Sequence, residues 1–145
     1  MDATAPPSPD PMNPVDVRVL VVDDHAPFRA VAETVVGLTP GFVLAGEAVS
    51  GEDAVDAARD LAPGLVLMDI NLPGISGIEA TRRILAEAPE RVVVLVSTYT
   101  ESDLPADAVD CGARRYLHKE EMSPAVLRAL WDDESPASES PVAGS

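Results

Sequence analysis

Five short apolar runs, each ending abruptly in polar residues, constrain the fold of this chain more than any other feature. The run at 65–68 (LVLM) is the most informative, because Asp69 follows it directly and the turn-forming sequence INLPG comes next. Uninterrupted apolar runs of this length are typical of parallel strands that are covered on both faces. The run therefore predicts a buried strand that carries a carboxylate at its C-terminal end.

The other four runs extend this pattern along the chain. They predict strands at 17–22, 42–47, 91–96 and 115–118. Between them, apolar residues recur with helical spacing, and Ser50 and Ser123 are suited to cap the helices that follow them. The first helix is predicted to bury Phe28, Val31, Ala32 and Val35, and the fourth to begin at 102–105. Strict alternation implies an α/β fold, a doubly wound parallel sheet with right-handed crossovers and helices on both faces.

The two ends of the chain differ from the middle in composition. Residues 1–14 are rich in proline, and residues 132–145 are rich in serine, proline and acidic side chains. Such segments have little apolar surface to bury. We therefore expect a disordered leader at 1–14, one folded domain at 15–131 and a disordered tail at 132–145, since 145 residues suit a single domain.

Charge and cysteine content exclude several classes of function. The formal net charge of −15 argues against direct binding of nucleic acid and favours a cation site or a basic partner. Cys111 is the one cysteine, so neither an internal disulfide nor a cysteine-based metal site is expected. No apolar run reaches membrane-spanning length, and the N-terminal sequence lacks a signal-peptide pattern. No membrane association and a cytoplasmic location are the expectation.

Polar residues follow four of the predicted strands. Asp23 and Asp24 end the first, Asp69 the third, Ser97 the fourth and Lys119 the fifth. The C-terminal ends of parallel strands share one edge of a sheet, where ligands bind. Three carboxylates at that edge form a site for a hard cation such as Mg²⁺, and the lysine and hydroxyl are suited to an incoming anion. The combination predicts phosphoryl transfer with a carboxylate nucleophile.

These motifs resemble the receiver domain of bacterial two-component response regulators. The matching features are VVDD at 21–24, LVLMDINLPGISGIE at 65–79, Ser97 at 28 residues after Asp69, and the sequence YLHK, which ends at Lys119 a further 22 residues on. The resemblance covers residues 17–131. It implies a flavodoxin-like (βα)5 fold with strand order 2-1-3-4-5, in the style of receivers that are usually fused to a helix-turn-helix output domain.

The resemblance also implies how the acidic residues would work. Asp69 would accept a phosphoryl group from the phosphohistidine of a sensor histidine kinase or a phosphotransfer protein. The carboxylates of Asp24 and Asp69 and the backbone carbonyl of Asn71 would bind Mg²⁺, and Asp23 would act through a metal-bound water. Phosphorylation and dephosphorylation of this kind are self-catalysed, so the chain is expected to be a signalling protein and not an enzyme.

Further roles are implied on the other side of the site. Lys119 would contact the phosphoryl group, and Ser97 would hydrogen-bond to it and draw its loop inward, although the neighbouring Thr98 is an alternative hydroxyl. Tyr116 would change rotamer in response, or would be an ordinary half-buried strand residue. The face formed by residues 99–131 would bind an unidentified output partner, and homodimerisation through this face stays open.

One departure from the family concerns the residue after Lys119. The family usually has a proline there in a cis peptide bond, whereas this chain has Glu120. A non-proline cis bond costs about 3–4 kcal/mol, so a trans bond is expected. A pseudo-receiver that binds partners with weak or no phosphorylation is therefore an alternative, as is a receiver fragment of a longer transcriptional regulator. His118, for which no role is predicted, is expected at the surface.

Two other functions are disfavoured by single positions. A haloacid-dehalogenase-like phosphatase also uses an aspartate nucleophile after a strand, but it needs a second aspartate where this chain has Asn71. An FMN-binding protein of the flavodoxin type needs a phosphate-binding loop after the first strand. Asp23 and Asp24 occupy that place and would repel the phosphate.

Overall fold

The computed structural model describes residues 16–98 and 105–134. In these ranges strands and helices alternate as predicted, followed or preceded by short turns. The elements are β1 (Val17–Val22), α1 (Ala26–Leu38), β2 (Phe42–Ala48), α2 (Gly51–Leu61), β3 (Leu65–Asp69), α3 (Gly77–Glu87), β4 (Val92–Ser97), α4 (Asp107–Asp110), β5 (Arg115–His118) and α5 (Pro124–Glu134). One turn of 3₁₀ helix, Lys119–Glu121, follows β5.

The sheet has the predicted order, β2-β1-β3-β4-β5, and all four strand pairings are parallel. This order makes β1 and β3 neighbours, with Val22 paired to Met68. On the other side of β3, Asp69 pairs with Val96 of β4, while Ser97 pairs with His118 of β5. The register therefore brings the ends of four strands to one edge, as the fold prediction requires.

Alternate residues of the central strands point to opposite faces of the sheet and form two apolar layers. The first layer joins Leu20, Val66 and Leu95 to α2 and α3, and the second joins Val21, Leu67 and Val94 to α1 and α5. All five residues of β3 and all six of β4 are buried. A strand covered on both faces has a fixed register, because a one-residue slip would exchange every side chain between the layers.

Serine caps define where two of the helices begin. The Ser50 hydroxyl accepts a hydrogen bond from the Asp53 amide at 3.1 Å, and the Ser123 hydroxyl accepts one from the Val126 amide at 3.2 Å. Each bond satisfies an amide that has no partner inside its helix. Both predicted caps are thus present.

The buried face of α1 differs from the predicted one. Val31 is 49% exposed, while Val36 is fully buried beside Ala32 and Val35. The apolar residues of this helix span more than one face, so the spacing i, i+3, i+4, i+7 fits two stripes that differ by about one residue. The expectation for Val31 was therefore wrong, because contact with the sheet selects the other stripe.

Two further boundaries differ from expectation. Helix α5 continues to Glu134, so residues 132–134 are helical and not part of a disordered tail. Within the described part of the chain α4 covers Asp107–Asp110, and of the predicted helix start at 102–105, residues 102–104 lie outside the described residues, as do 1–15 and 135–145. Among the helices that the structure describes, none has the length and apolar character needed to cross a membrane.

Candidate functional site

Three carboxylates lie together at the C-terminal edge of β1 and β3. Asp23, Asp24 and Asp69 each offer an oxygen, and these oxygens all lie within 4.8 Å of one another. Asp23 and Asp69 are buried, at 1% and 6% exposure, whereas Asp24 is open to solvent. The predicted cluster of three carboxylates is therefore present, with two members buried and one exposed.

Lys119 extends into this cluster from the end of β5. Its Nζ atom lies 2.7 Å from Asp23 Oδ2 and 3.6 Å from Asp69 Oδ2, and 4.6 Å from the centre of the Phe28 ring. The side chain is 15% exposed. The Lys119–Glu120 peptide bond is trans, as expected and as are all described peptide bonds, and with this geometry the lysine reaches both carboxylates.

Burial and charge repulsion make the Asp69 carboxylate more basic than an ordinary aspartate. Burial raises the pKa of Asp69 from its ordinary 3.8 to about 6, and the Asp23 carboxylate adds to the rise. The Lys119 ammonium and the Asn71 amide, which donates to Asp69 Oδ1 at 3.4 Å, oppose it. Asp69 thus holds its proton more tightly than an ordinary aspartate, and a bound cation would reverse that preference.

The donor set of the cluster fits Mg²⁺. Its ligand atoms are all oxygens, and three carboxylates face one lysine, so the ion pairs leave an excess of negative charge. Burial is the main cause of the raised pKa of Asp69, and repulsion from the Asp23 carboxylate adds to it. Asp24, which is open to solvent, leaves room for the waters that Mg²⁺ retains.

The loop after β3 is held in place by close packing. A Cβ atom at Gly77 would collide with the carbonyl oxygen of Asp69, so α3 approaches the strand end through a glycine. The Gly77 amide also donates to the carbonyl of Ile70 at 2.9 Å. From α2, the Glu52 carboxylate accepts from the Ile75 amide at 3.2 Å. These contacts set the backbone that carries Asp69 and its neighbours.

Asp23 is fixed by its surroundings on the opposite side of the cluster. Its Oδ1 atom accepts from the His25 amide at 2.8 Å, at the beginning of α1. Its backbone carbonyl accepts from Arg29 Nη1 at 2.9 Å, while Arg29 Nε bonds to Glu47 at 3.2 Å. The apolar spacing of the first helix predicted that Phe28 is a core residue and indicated no role for Arg29. Their position one helical turn after Asp23 and Asp24 was the feature of the sequence that could have placed them near the site.

The remaining predicted residues lie on β4 and β5. Ser97 is buried at the end of β4, and Tyr116 is half-buried on β5, where it packs against the first apolar layer. Ser97 therefore lies at the same sheet edge as the carboxylates. The switching roles of Ser97 and Tyr116 stay predictions, and so does metal binding through Asn71.

His118 is a site residue that sequence analysis missed. Its ring lies 3.1 Å from the carbonyl oxygen of Thr98 through Nε2, and its Nδ1 accepts from the Glu120 amide at 3.1 Å. The side chain is half-buried, so part of it stays at the surface as expected, while both ring nitrogens bond to backbone groups for which no role was predicted. Its place directly before the lysine was the one signal in the sequence.

Sequence relatives agree with this architecture. A family model of the response regulator receiver domain matches residues 19–131. The chain is 39% identical over 114 residues to the response regulator UvrY of Escherichia coli K12, covering 79% of this chain and 52% of that protein. It is 40% identical over 118 residues to the response regulator GacA of Pseudomonas aeruginosa PAO1, covering 79% and 55%. The chain thus spans about half the length of these curated relatives.

Solved structures give the same assignment. The receiver domain of CheB from Thermotoga maritima superposes with a TM-score of 0.74 at 31% identity, covering 82% of this chain and 96% of that one. A two-component response regulator of the LuxR family from Aurantimonas sp. SI85-9A1 superposes with a TM-score of 0.73 at 28% identity, covering 89% and 96%. With the family match over most of its length, the chain belongs to the receiver domains of two-component response regulators.

Proposed function

We propose that the chain is a phosphorylation-dependent switch in which Asp69 accepts a phosphoryl group from a histidine kinase or a phosphotransfer protein. The observation that carries this proposal is the ion-pair geometry at Asp69. The carboxylate is buried beside Asp23 and lies 3.6 Å from the Lys119 ammonium. A nucleophile and a cation for the incoming phosphoryl oxygens are therefore side by side.

The chemistry follows from the basicity of Asp69. With a pKa of about 6, its carboxylate is mostly ionised at pH 7 and is more basic than an ordinary aspartate. One carboxylate oxygen attacks the phosphorus of the phosphohistidine, an O–P bond forms, and the P–N bond breaks. The histidine nitrogen keeps the bonding electrons and takes a proton. The product is an acyl phosphate, which water later hydrolyses to the carboxylate and inorganic phosphate.

The acidic cluster would hold Mg²⁺ during this transfer. Asp24, Asp69 and the Asn71 carbonyl would be direct ligands, and Asp23 would hold a water of the metal. Bound there, Mg²⁺ supplies positive charge that offsets the carboxylates and the phosphoryl oxygens. Lys119 is then free to exchange its ion pair with Asp23 for one with the new phosphoryl group.

The signal would leave through the face formed by residues 99–131. Ser97 would hydrogen-bond to a phosphoryl oxygen, and Tyr116 would repack on β5 as the loop after β4 moves. The output partner, either a separate protein or another segment of a longer polypeptide, would recognise the changed face. Because the chain modifies one of its own carboxylates, we class it as a signalling domain and not as a metabolic enzyme.

Mass spectrometry after incubation with acetyl phosphate and Mg²⁺ tests the proposal. We expect one phosphoryl adduct, located on Asp69, that is absent in Asp69→Asn and in samples with EDTA. The matched control is Asp56→Asn, an exposed aspartate on α2 that should leave the adduct unchanged. An unmodified wild-type chain, treated with both acetyl phosphate and a phosphorylated kinase, would contradict the proposal and favour a pseudo-receiver.

A further inference from the structure

The His118 ring spans two of the loops that build the site. His118 is the last residue of β5 and pairs with Ser97, the last residue of β4. From there its Nε2 atom reaches the Thr98 carbonyl, and its Nδ1 atom accepts from the Glu120 amide, both at 3.1 Å. One imidazole therefore bonds to the residue after Ser97 and to the residue after Lys119.

The two hydrogen bonds require one form of the ring. A nitrogen that accepts from an N–H group must present its lone pair, so Nδ1 carries no proton. The proton of the neutral imidazole is then on Nε2, where it donates to the Thr98 carbonyl. Nδ1 thus acts as an acceptor and Nε2 as a donor, and this pair of hydrogen bonds fixes the orientation of the ring.

The same ring caps the turn that begins with Lys119. The turn Lys119–Glu121 is held at its start by a reciprocal pair of bonds, in which His118 Nδ1 accepts from the Glu120 amide and the Glu121 carboxylate accepts from the His118 amide at 3.3 Å. These bonds orient the backbone of Lys119, whose ammonium then reaches Asp23 at 2.7 Å. These bonds restrain the Lys119–Glu120 peptide, which has no proline ring to restrain it.

We propose that His118 is a positioning residue for the phosphorylation of Asp69, an inference that rests on the proposed function. Its Nδ1 fixes the turn that aims the Lys119 ammonium into the site, and its Nε2 ties that turn to the loop that follows Ser97. The lysine and the hydroxyl, which come from different strands, are thereby held in one arrangement. Both ring nitrogens bond to backbone groups and not to the reacting carboxylate.

Three substitutions separate the two bonds. His118→Leu removes both. His118→Asn places a carboxamide oxygen near the position of Nδ1 and keeps the cap on the Glu120 amide, whereas His118→Gln places its amide nitrogen near Nε2 and keeps the link to Thr98. Asparagine and glutamine are alike in polarity, so a residue that matters for stability alone should respond to both in the same way.

The rate of Asp69 phosphorylation by acetyl phosphate at saturating Mg²⁺ is the first measurement. Loss of the cap on the Glu120 amide, which orients Lys119, predicts a rate about three- to tenfold lower for His118→Leu and His118→Gln. His118→Asn should stay within about twofold of the wild type, because it keeps the cap. The Kd for Mg²⁺ should not change in any variant. Equal rates for the wild type and the leucine variant, or an asparagine variant as slow as leucine, would overturn the inference.

NMR of the unphosphorylated chain tests the inference separately from the proposed function. Ring ¹⁵N shifts of His118 should show the tautomer with the proton on Nε2, and the Glu120 amide should exchange faster in the leucine and glutamine variants than in the asparagine variant. A ring protonated on Nδ1, or Glu120 exchange that is the same in all variants, refutes the positioning role. A wild-type chain that takes no phosphoryl group refutes the proposed function, whatever these spectra show.

Discussion

The two halves of the site are built by different forces. The acidic half, Asp23, Asp24 and Asp69, lies at the ends of β1 and β3, which are inner strands with a buried core on both faces. In the lysine half, Ser97 ends the buried inner strand β4, whereas Lys119 follows β5. β5 is an edge strand of four residues, and the turn after it is held by bonds from His118 and Glu121.

This difference indicates which half can move. Packing against two apolar layers stabilises the acidic half by many contacts at once, whereas single hydrogen bonds to neutral groups contribute about 0.5–1.5 kcal/mol each. Metal binding and phosphoryl transfer need carboxylates that are held in a fixed geometry. A switch needs a segment with two conformations that lie close in free energy. The site thus combines a fixed acidic half with a lysine half that is able to respond.

Lys119→Met should have the largest effect, because it removes an ammonium that pairs with both buried carboxylates of the acidic half. The phosphorylation rate of Asp69 should fall about 100- to 1,000-fold, since an electrostatic group aimed at the transferred phosphoryl oxygens is lost. The rate with acetyl phosphate is the measurement, and Arg82→Met, which removes a surface cation paired with Glu79 on α3, is the control. A lysine variant within about twofold of the wild type would show that the acidic half acts alone.

Gly77→Ala tests the rigidity of the acidic half. The added methyl group would collide with the Asp69 carbonyl, so the free energy of unfolding should fall by about 3 kcal/mol. Denaturant unfolding followed by Trp131 fluorescence measures it. Gly37→Ala is the matched control: its Cβ meets nothing within 4 Å inside α1, and it should stabilise the chain by about 0.5–1 kcal/mol. Equal effects of the two substitutions would contradict tight packing at the strand end.

Strand alternation predicted the polar strand ends of both halves, but not the side chains that support them. The C-terminal ends of parallel strands meet at one edge, so Asp23, Asp69 and Lys119 could be placed together without the structure. The contacts of Phe28, Arg29 and His118 depend on side-chain rotamers that only the assembled neighbours define. The buried stripe of α1 was misassigned in the same way, because Val31 and Val36 are equally apolar and the sheet decides between them.

The burial of Asp69, with the Asp23 carboxylate beside it, predicts a pH dependence. Without metal the pKa of Asp69 is about 6 in the folded chain, above its ordinary 3.8. The folded state therefore binds this proton more tightly, so the stabilisation is complete below about pH 4 and is lost as the pH rises through about 6. Unfolding free energies in EDTA should fall by on the order of 1–2 kcal/mol more across this window in the wild type than in Asp69→Asn.

Saturating Mg²⁺ is the control for this titration, because a bound cation should keep Asp69 ionised and abolish the difference between the two chains. Denaturation midpoints at a series of pH values, with and without the metal, provide the measurement. If the denaturation midpoints of the wild type and Asp69→Asn change with pH in the same way in EDTA, the proton is taken up by another group of the site and not by Asp69.

Phe28→Leu should produce the smallest effect, at the contact between α1 and the lysine half. The Phe28 ring lies 4.6 Å from Lys119 Nζ, which is within the range of a cation–π interaction. Leucine keeps most of the apolar volume and removes the interaction, so stability should fall by about 0.5–1 kcal/mol in the metal-free chain. After phosphorylation Lys119 would be paired with the phosphoryl group, and the cost of the substitution should then shrink. Stability measured with and without beryllofluoride checks this, and an unchanged cost would mean that Lys119 does not exchange partners.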